Sequence, residues 1–299
     1  MSNDSELVGP VGIGGVGGSG TRVIASMVSS LGFHPGADLN TPEDDLTFSM
    51  LFKRPRLYRG VRGLIPADHP SAVAATRAFV ELRHRRRTPS SLLQLISACA
   101  AFPRSGVTPL PNDPWSWSMH RFTGALRNTV PDKSGMWTWK EPNTLLFIPT
   151  LFRELAGLRY IHVVRNGLSM AKSKNRYQLA NWGPLFDVRP DARPVELRQL
   201  IYWARVNLAV SDFLDAQPRS LVVTHERAVA DPTGVLADIA AFLGREVTDE
   251  GRAVVDRVRR PDDFERSYPF DESDMTAGER DDVRRALDRF GYVIDDSPR

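Results

Sequence analysis

Gly12-Ile13-Gly14-Gly15-Val16-Gly17-Gly18-Ser19-Gly20-Thr21-Arg22 is the stretch on which the reading of this chain turns. Glycines at this density let backbone N–H groups approach an anion closely, and a following helix N-terminus adds partial positive charge. Leu7 to Ile13, just before it, is a short apolar segment that predicts a strand. Thr21 to Leu31, just after it, carries apolar residues at 23, 24, 27, 28 and 31, which is helical spacing. The chain therefore opens as strand, glycine turn, helix.

Two ligand classes can be weighed on spacing alone. GxGxxG fits at 12-14-17 and again at 15-17-20. A dinucleotide unit should continue, after its helix, into a second strand ending in an acid. Here Gly32-Phe33-His34-Pro35-Gly36-Ala37-Asp38 follows, with no apolar run. Gly15 and Gly20 also have the spacing of GxxxxGK[ST], but Thr21 takes the Lys position and Arg22 the Mg-ligand position. The loop suits a phosphate-like group and is missing two parts of Mg-ATP chemistry. A Mg-dependent phosphotransferase and a non-catalytic nucleotide-binding protein both stay open as alternatives.

Moving outward, Met136 to Lys140 pairs with a helix around Asn143 to Leu155. Leu158 to Val164 is a buried-type strand that feeds a helix from about Leu168. Ser220 to Thr224 is a fourth strand, followed by a helix from Pro232 to Leu243. This alternation predicts an α/β fold, a P-loop-type parallel sheet flanked by helices. Residues 50–130 read as helices and Pro-rich loops, a helical insertion on the acceptor side of one domain spanning 1–299. Val73 to Leu82 is helical there, and its trailing Arg83-His84-Arg85-Arg86-Arg87 reads as a solvated helix end.

Composition narrows the class. The chain has 299 residues and a net charge of only +3, so nucleic acid is not the default partner. One cysteine, Cys99, excludes an internal disulfide, and its apolar surroundings predict burial. No apolar run is long enough to span a membrane and no signal peptide is visible, so a soluble, cytoplasmic protein is expected. No His/Cys/Asp cluster has metal-ligand spacing, so no metal is expected.

Ser19-Gly20-Thr21 after a strand resembles the 5′-phosphosulfate loop of the sulfotransferases, whose donor is 3′-phosphoadenosine 5′-phosphosulfate. Tyr160-Ile161-His162-Val163-Val164-Arg165-Asn166-Gly167, with Ser173 eight residues after Arg165, resembles the 3′-phosphate segment of the same family. An Arg at a strand end and a hydroxyl on the next helix can converge on one phosphate. Trp139-Lys140-Glu141-Pro142 is similar to the strand end whose Lys reaches the transferring sulfonate. The late stretch Leu221 to Glu226, Asp231-Pro232 and Ala241 to Gly244 matches too, with His225 in place of the usual Tyr. The resemblance covers residues 8–48 and 136–244.

It implies a Mg-independent sulfotransferase of P-loop-like fold. Gly17, Gly18, Ser19, Gly20, Thr21 and Arg22 would hold the donor's 5′ side, and Arg165 and Ser173 its 3′-phosphate. Many relatives carry Lys or Arg where Gly18 stands, and Arg22 and Lys140 are the natural substitutes. Pro142 occupies the place of the cytosolic branch's catalytic His, so that base is not carried over.

A carboxylate base is therefore expected. Asp45-Leu46-Thr47-Phe48 resembles the acid-x-x-Phe of the heparan-type branch, which makes Asp45 the first choice. Glu43, Asp44 and Asp45 after Thr41 also read as the acidic first turn of a helix capped by Thr41. Glu141 is the second candidate, and Asp44 stays open. His162 reads as a core histidine, His34 as a turn residue, and His120 as a group that could face the acceptor. Trp137 and Trp139 read as buried, while Trp115 and Trp117 could be core or acceptor wall. Arg266 is either a surface residue or an extra 3′-phosphate ligand. The acceptor is a small molecule, sugar, lipid or peptide, through a hydroxyl or less readily an amine.

Overall fold

The computed structural model describes residues 9–101, 119–130, 136–258 and 272–292. Its first strand, β1 (Val11–Gly15), is followed by α1 (Thr21–Ser30). Next come α2 (Leu46–Phe52), α3 (Pro70–Arg83), α4 (Pro89–Ala101) and α5 (Met119–Arg127), the helices expected between the first two strands. The chain returns to the sheet as β2 (Thr138–Lys140), α6 (Ile148–Glu154) and β3 (Arg159–Val164). Then follow α7 (Gly167–Ala171), α8 (Tyr177–Trp182), α9 (Val195–Leu214), β4 (Ser220–Thr224), α10 (His225–Ala230), α11 (Pro232–Leu243), α12 (Asp249–Val255) and α13 (Ala277–Arg289).

The four strands run parallel in the order β2-β1-β3-β4. β1 is central, so the chain leaves it first towards β2 and then crosses back to β3. That reversal makes the carboxyl end of β1 a topological switch point, where open parallel sheets form their crevice.

Alternate β1 residues face opposite layers. Val11 and Ile13 pack with Ile24, Val28, Ile161, Val163 and Val223 in one core. The other core holds Trp139, Tyr160 and Val164 and continues without a break into Phe48, Phe52 and Phe79 of α2 and α3. Gly12 and Gly14 explain how it fits. A Cβ on Gly12 would stand 2.7 Å from the Trp139 ring, and one on Gly14 2.6 Å from the Tyr160 hydroxyl. These two glycines are strand residues that let aromatic rings fold across β1, not phosphate ligands. The 12-14-17 dinucleotide register is lost for that reason.

His162 is fully buried in β3, with its Nε2 2.9 Å from Asn207 Oδ1. Burial pushes its pKa down to about 4, so it stays neutral as a core histidine. Cys99, Trp137 and Trp139 are buried as expected. No helix among the described residues is long and apolar enough to cross a membrane.

Candidate active site

The glycine loop leaves β1 and turns into α1. Gly18 (φ +100°) and Gly20 (φ +88°) occupy left-handed conformations that L side chains rarely adopt. Gly20 is the N-cap of α1, and no side chain caps the helix or adds negative charge to its first turn. The N–H groups of Thr21 and Arg22 therefore have no intrahelical acceptor. Ser19 Oγ is buried and makes no hydrogen bond. Gln178 of α8 fixes the loop from outside. Its Oε1 accepts from Gly17 N–H at 2.9 Å, and its Nε2 donates to the Gly15 carbonyl at 3.3 Å.

A cleft of about 530 Å³ opens beside this loop. Gly17, Gly18, Gly20, Thr21 and Arg22 form one wall, and Lys140, Glu141, Asp44 and Lys53 face them. Backbone pairing puts the acids there. Asp45 N–H donates to the Lys140 carbonyl at 2.8 Å, which ties the segment before α2 to the end of β2. Lys140 Nζ then donates to Asp44 Oδ1 at 2.6 Å and to the Pro42 carbonyl. Asp44 Oδ2 accepts from Asn40 Nδ2 at 3.1 Å.

Glu141 lies almost fully buried at the floor. Its Oε2 accepts from Asn143 N–H at 2.6 Å, and its Oε1 from Asn143 Nδ2 at 2.7 Å and Ser49 Oγ at 3.3 Å. Trp182 Nε1 donates to Asn143 Oδ1 at 2.9 Å, so this whole arm is held in place. Burial, with the negative charge of Asp44 adding to it and Lys53 opposing, pushes the Glu141 carboxyl up to about 7.

Arg165 and Ser173 approach the loop at Gly18. Arg165 Nη1 donates to the Gly18 carbonyl at 3.4 Å, and Ser173 Oγ is 3.5 Å from where a Gly18 Cβ would stand. The two are eight residues apart in sequence, yet both meet one glycine of the loop. His225 packs behind Gly20, where a Cβ would come within 2.2 Å of its ring.

Two expectations need correction. Asp45, not Thr41, is the N-cap of α2, accepting from Phe48 N–H at 2.8 Å. Its carboxylate is fully buried, 3.3 Å from Arg83 Nη1, and takes two more bonds from Asn128 Nδ2 at 3.2 and 3.1 Å. It is not among the residues that line the cleft, and its contacts are those of a helix cap and an ion-pair partner. Arg83, read as part of a solvated helix end, is completely buried. It also donates to Asn128 Oδ1 at 2.7 Å and the Thr138 carbonyl at 2.8 Å, and lies 5.0 Å above the Trp137 ring. Only His84 to Arg87 are exposed. Trp115, Trp117 and Arg266, and the side chain of His120, lie outside the described residues.

Sequence reasoning missed Lys53, Asn143, Asn175, Tyr177 and Gln178, which all line the cleft. No spacing signal marks them, because they come from segments that only the fold brings to the loop. Among the described residues no group of His, Cys, Asp and Glu could hold a metal ion.

A model described as the sulfotransferase family matches residues 10–249. No curated protein matches the chain. Among solved structures, a sulfotransferase from Mycobacterium avium is 14% identical with a TM-score of 0.49, covering 97% of this chain and 79% of its own. The sulfotransferase domain from the curacin biosynthetic pathway is also 14% identical, with a TM-score of 0.48, covering 97% and 100%. The sulfotransferase domain from the Synechococcus PCC 7002 olefin synthase is 15% identical, with a TM-score of 0.47, covering 98% of each chain.

Proposed function

Because the chain belongs to the sulfotransferase family, we propose that it transfers a sulfonate from 3′-phosphoadenosine 5′-phosphosulfate to an acceptor hydroxyl, with Glu141 as the base. One observation carries this reading. A cleft at the switch point gathers a glycine loop with an uncapped helix N-terminus, a lysine, and a carboxyl group whose proton affinity is raised by burial.

The residues present fit the donor. The free N–H groups of Thr21 and Arg22, the unpartnered buried Ser19 hydroxyl and the glycine turn at 18–20 are suited to a 5′ phosphosulfate. Arg165 and Ser173, across Gly18, are suited to a 3′-phosphate. When bound, the donor supplies an activated sulfonate.

The protein's own part is positional and electrostatic. Glu141 takes the proton of the acceptor hydroxyl. Asp44 raises the proton affinity of Glu141 and holds Lys140 in the cleft. Lys140, Arg22 and the loop amides oppose negative charge that develops at the loop. Gln178 braces the loop through Gly15 and Gly17. The helices between β1 and β2 carry Ser49 and Lys53 to the acceptor side.

Donor selectivity tests the reading directly. By calorimetry, 3′-phosphoadenosine 5′-phosphate should bind far better than AMP or ATP. Loss of a desolvated charge contact costs about 2–5 kcal/mol, roughly 30-fold or more. Arg165→Ala should therefore erase most of the preference while leaving the unfolding transition in place. Equal affinity for ATP and the 3′-phosphorylated nucleotide would remove the donor assignment.

The Mg-dependent alternative makes the opposite prediction about chelation. Arg22 stands where that chemistry needs a metal-binding hydroxyl. Turnover should persist in EDTA at an unchanged rate. Activity that vanishes with chelator and returns with Mg would favour the phosphotransferase.

A further inference from the structure

A second cavity, of about 490 Å³, lies next to the cleft. Arg56, Arg59, Arg62 and Arg189 line it, with Asp187 as its single acid among the described residues. Asp187 pairs with Arg62 at 3.3 Å. Arg56, Arg59 and Arg189 make no ion pair with a described carboxylate and are exposed. Three guanidinium groups without a described carboxylate partner thus gather around one cavity. Like charges placed together cost free energy unless an anion meets them.

Two separate segments show that the cavities adjoin. Lys53 lines the cleft and Pro55 the arginine cavity, and one residue separates them. Their Cα atoms are thus at most about 7 Å apart. On α8, Tyr177 and Gln178 line the cleft while Asn181, one turn on, lines the arginine cavity. Asn181 Nδ2 donates to the Tyr177 carbonyl at 2.8 Å, which fixes the wall between them. Lys53 and α8 lie at the border between the two cavities. An acceptor seated in the cleft therefore has the arginine cavity as its immediate neighbour.

We propose that the arginine cavity is an acceptor subsite for an anionic group, a carboxylate, phosphate or sulfate carried a short tether away from the reacting hydroxyl. This rests on the sulfotransferase reading and narrows its acceptor class. Guanidinium groups give bidentate, charge-assisted bonds to such groups, and neutral acceptors have nothing to match them there. The cavity volume is that of a ligand site and not of a single ion.

The test uses the full chain and phenols with tethers of graded length, each ending in a carboxylate, a phosphate monoester or a carboxamide. At the best tether, an anionic probe should exceed its carboxamide partner by about tenfold or more in kcat/KM, mostly through KM. In the Arg56→Gln/Arg59→Gln/Arg189→Gln variant that ratio should fall to about one, with carboxamide turnover unchanged as the control for folding. Comparing the carboxylate with the phosphate tells which anion the subsite prefers. If no phenol is turned over, calorimetry with the same probes on protein saturated with 3′-phosphoadenosine 5′-phosphate decides the matter. Anionic probes should bind, carboxamides should not, and the variant should lose the difference. Wild-type protein that treats charged and neutral probes alike, or a preference that survives in the variant, overturns the subsite. Failure to bind the 3′-phosphorylated nucleotide at all would instead count against the donor reading.

Discussion

Glu141→Gln should lower kcat by about 10²–10⁴, the usual contribution of general base catalysis. The amide keeps the size of the side chain and can still accept from Asn143 N–H, but it cannot take a proton. Affinity for 3′-phosphoadenosine 5′-phosphate should barely change, because Glu141 is not among the groups assigned to the nucleotide. The pH profile gives an independent check. With a carboxyl near 7, wild-type kcat should rise through neutral pH and level off above it, as Glu141 becomes a carboxylate. That limb should disappear in the variant's residual activity. Asp44→Asn is the informative control. It removes a negative charge that holds the Glu141 proton, so the limb should move to lower pH. If Glu141→Gln stays fully active while Asp44→Asn is dead, the base is Asp44.

The same group sets a pH dependence of stability. Folded Glu141 has a pKa above its ordinary 4.5, so between about 4.5 and 7 the folded chain keeps a proton that the unfolded chain has released. Its contribution to stability therefore falls as pH rises through that window.

Asp45→Ala should cost about 3–5 kcal/mol of stability, the usual effect of stranding one partner of a buried ion pair. Arg83 would be left charged and fully buried, and α2 would lose its N-cap. The effect should appear as a lower denaturation midpoint with an unchanged slope. Arg83→Met, which removes the other charge, should be as damaging alone. The double variant should recover part of the loss, since neither charge is then stranded. The kcat of Asp45→Ala, per folded molecule, should stay near wild type. A variant as stable as wild type but without activity would return Asp45 to the role of base.

The order of strands and helices was legible because it rests on local pattern. A buried parallel strand needs a short apolar run, and its crossover helix needs apolar residues every three or four positions. The phosphate-type loop was legible for a similar reason, since Gly18 and Gly20 take backbone angles that other residues resist. Lys140 and Glu141 were legible only through the resemblance of Trp139-Lys140-Glu141-Pro142 to a sulfotransferase strand end.

What could not be read was the direction in which neighbouring side chains turn. Asp44 and Asp45 are consecutive and chemically alike. One caps α2 and is sealed against Arg83, and the other stands in the cleft against Lys140. Gly12 and Gly20 belong to one glycine-rich run, yet one makes room for a tryptophan ring and the other turns a loop. Gln178 and Lys53 reach the same cleft from segments about 125 residues apart, as their numbers show. By itself the sequence determined the sheet, its helices and the glycine turn, because each depends on residues that are neighbours along the chain. Only the tertiary structure decided which acid pairs with Arg83 and which acids line the cleft. A carboxylate's environment is made by groups such as Arg83, Asn128 and Lys140, which are distant in sequence and adjacent only once the sheet has closed around them.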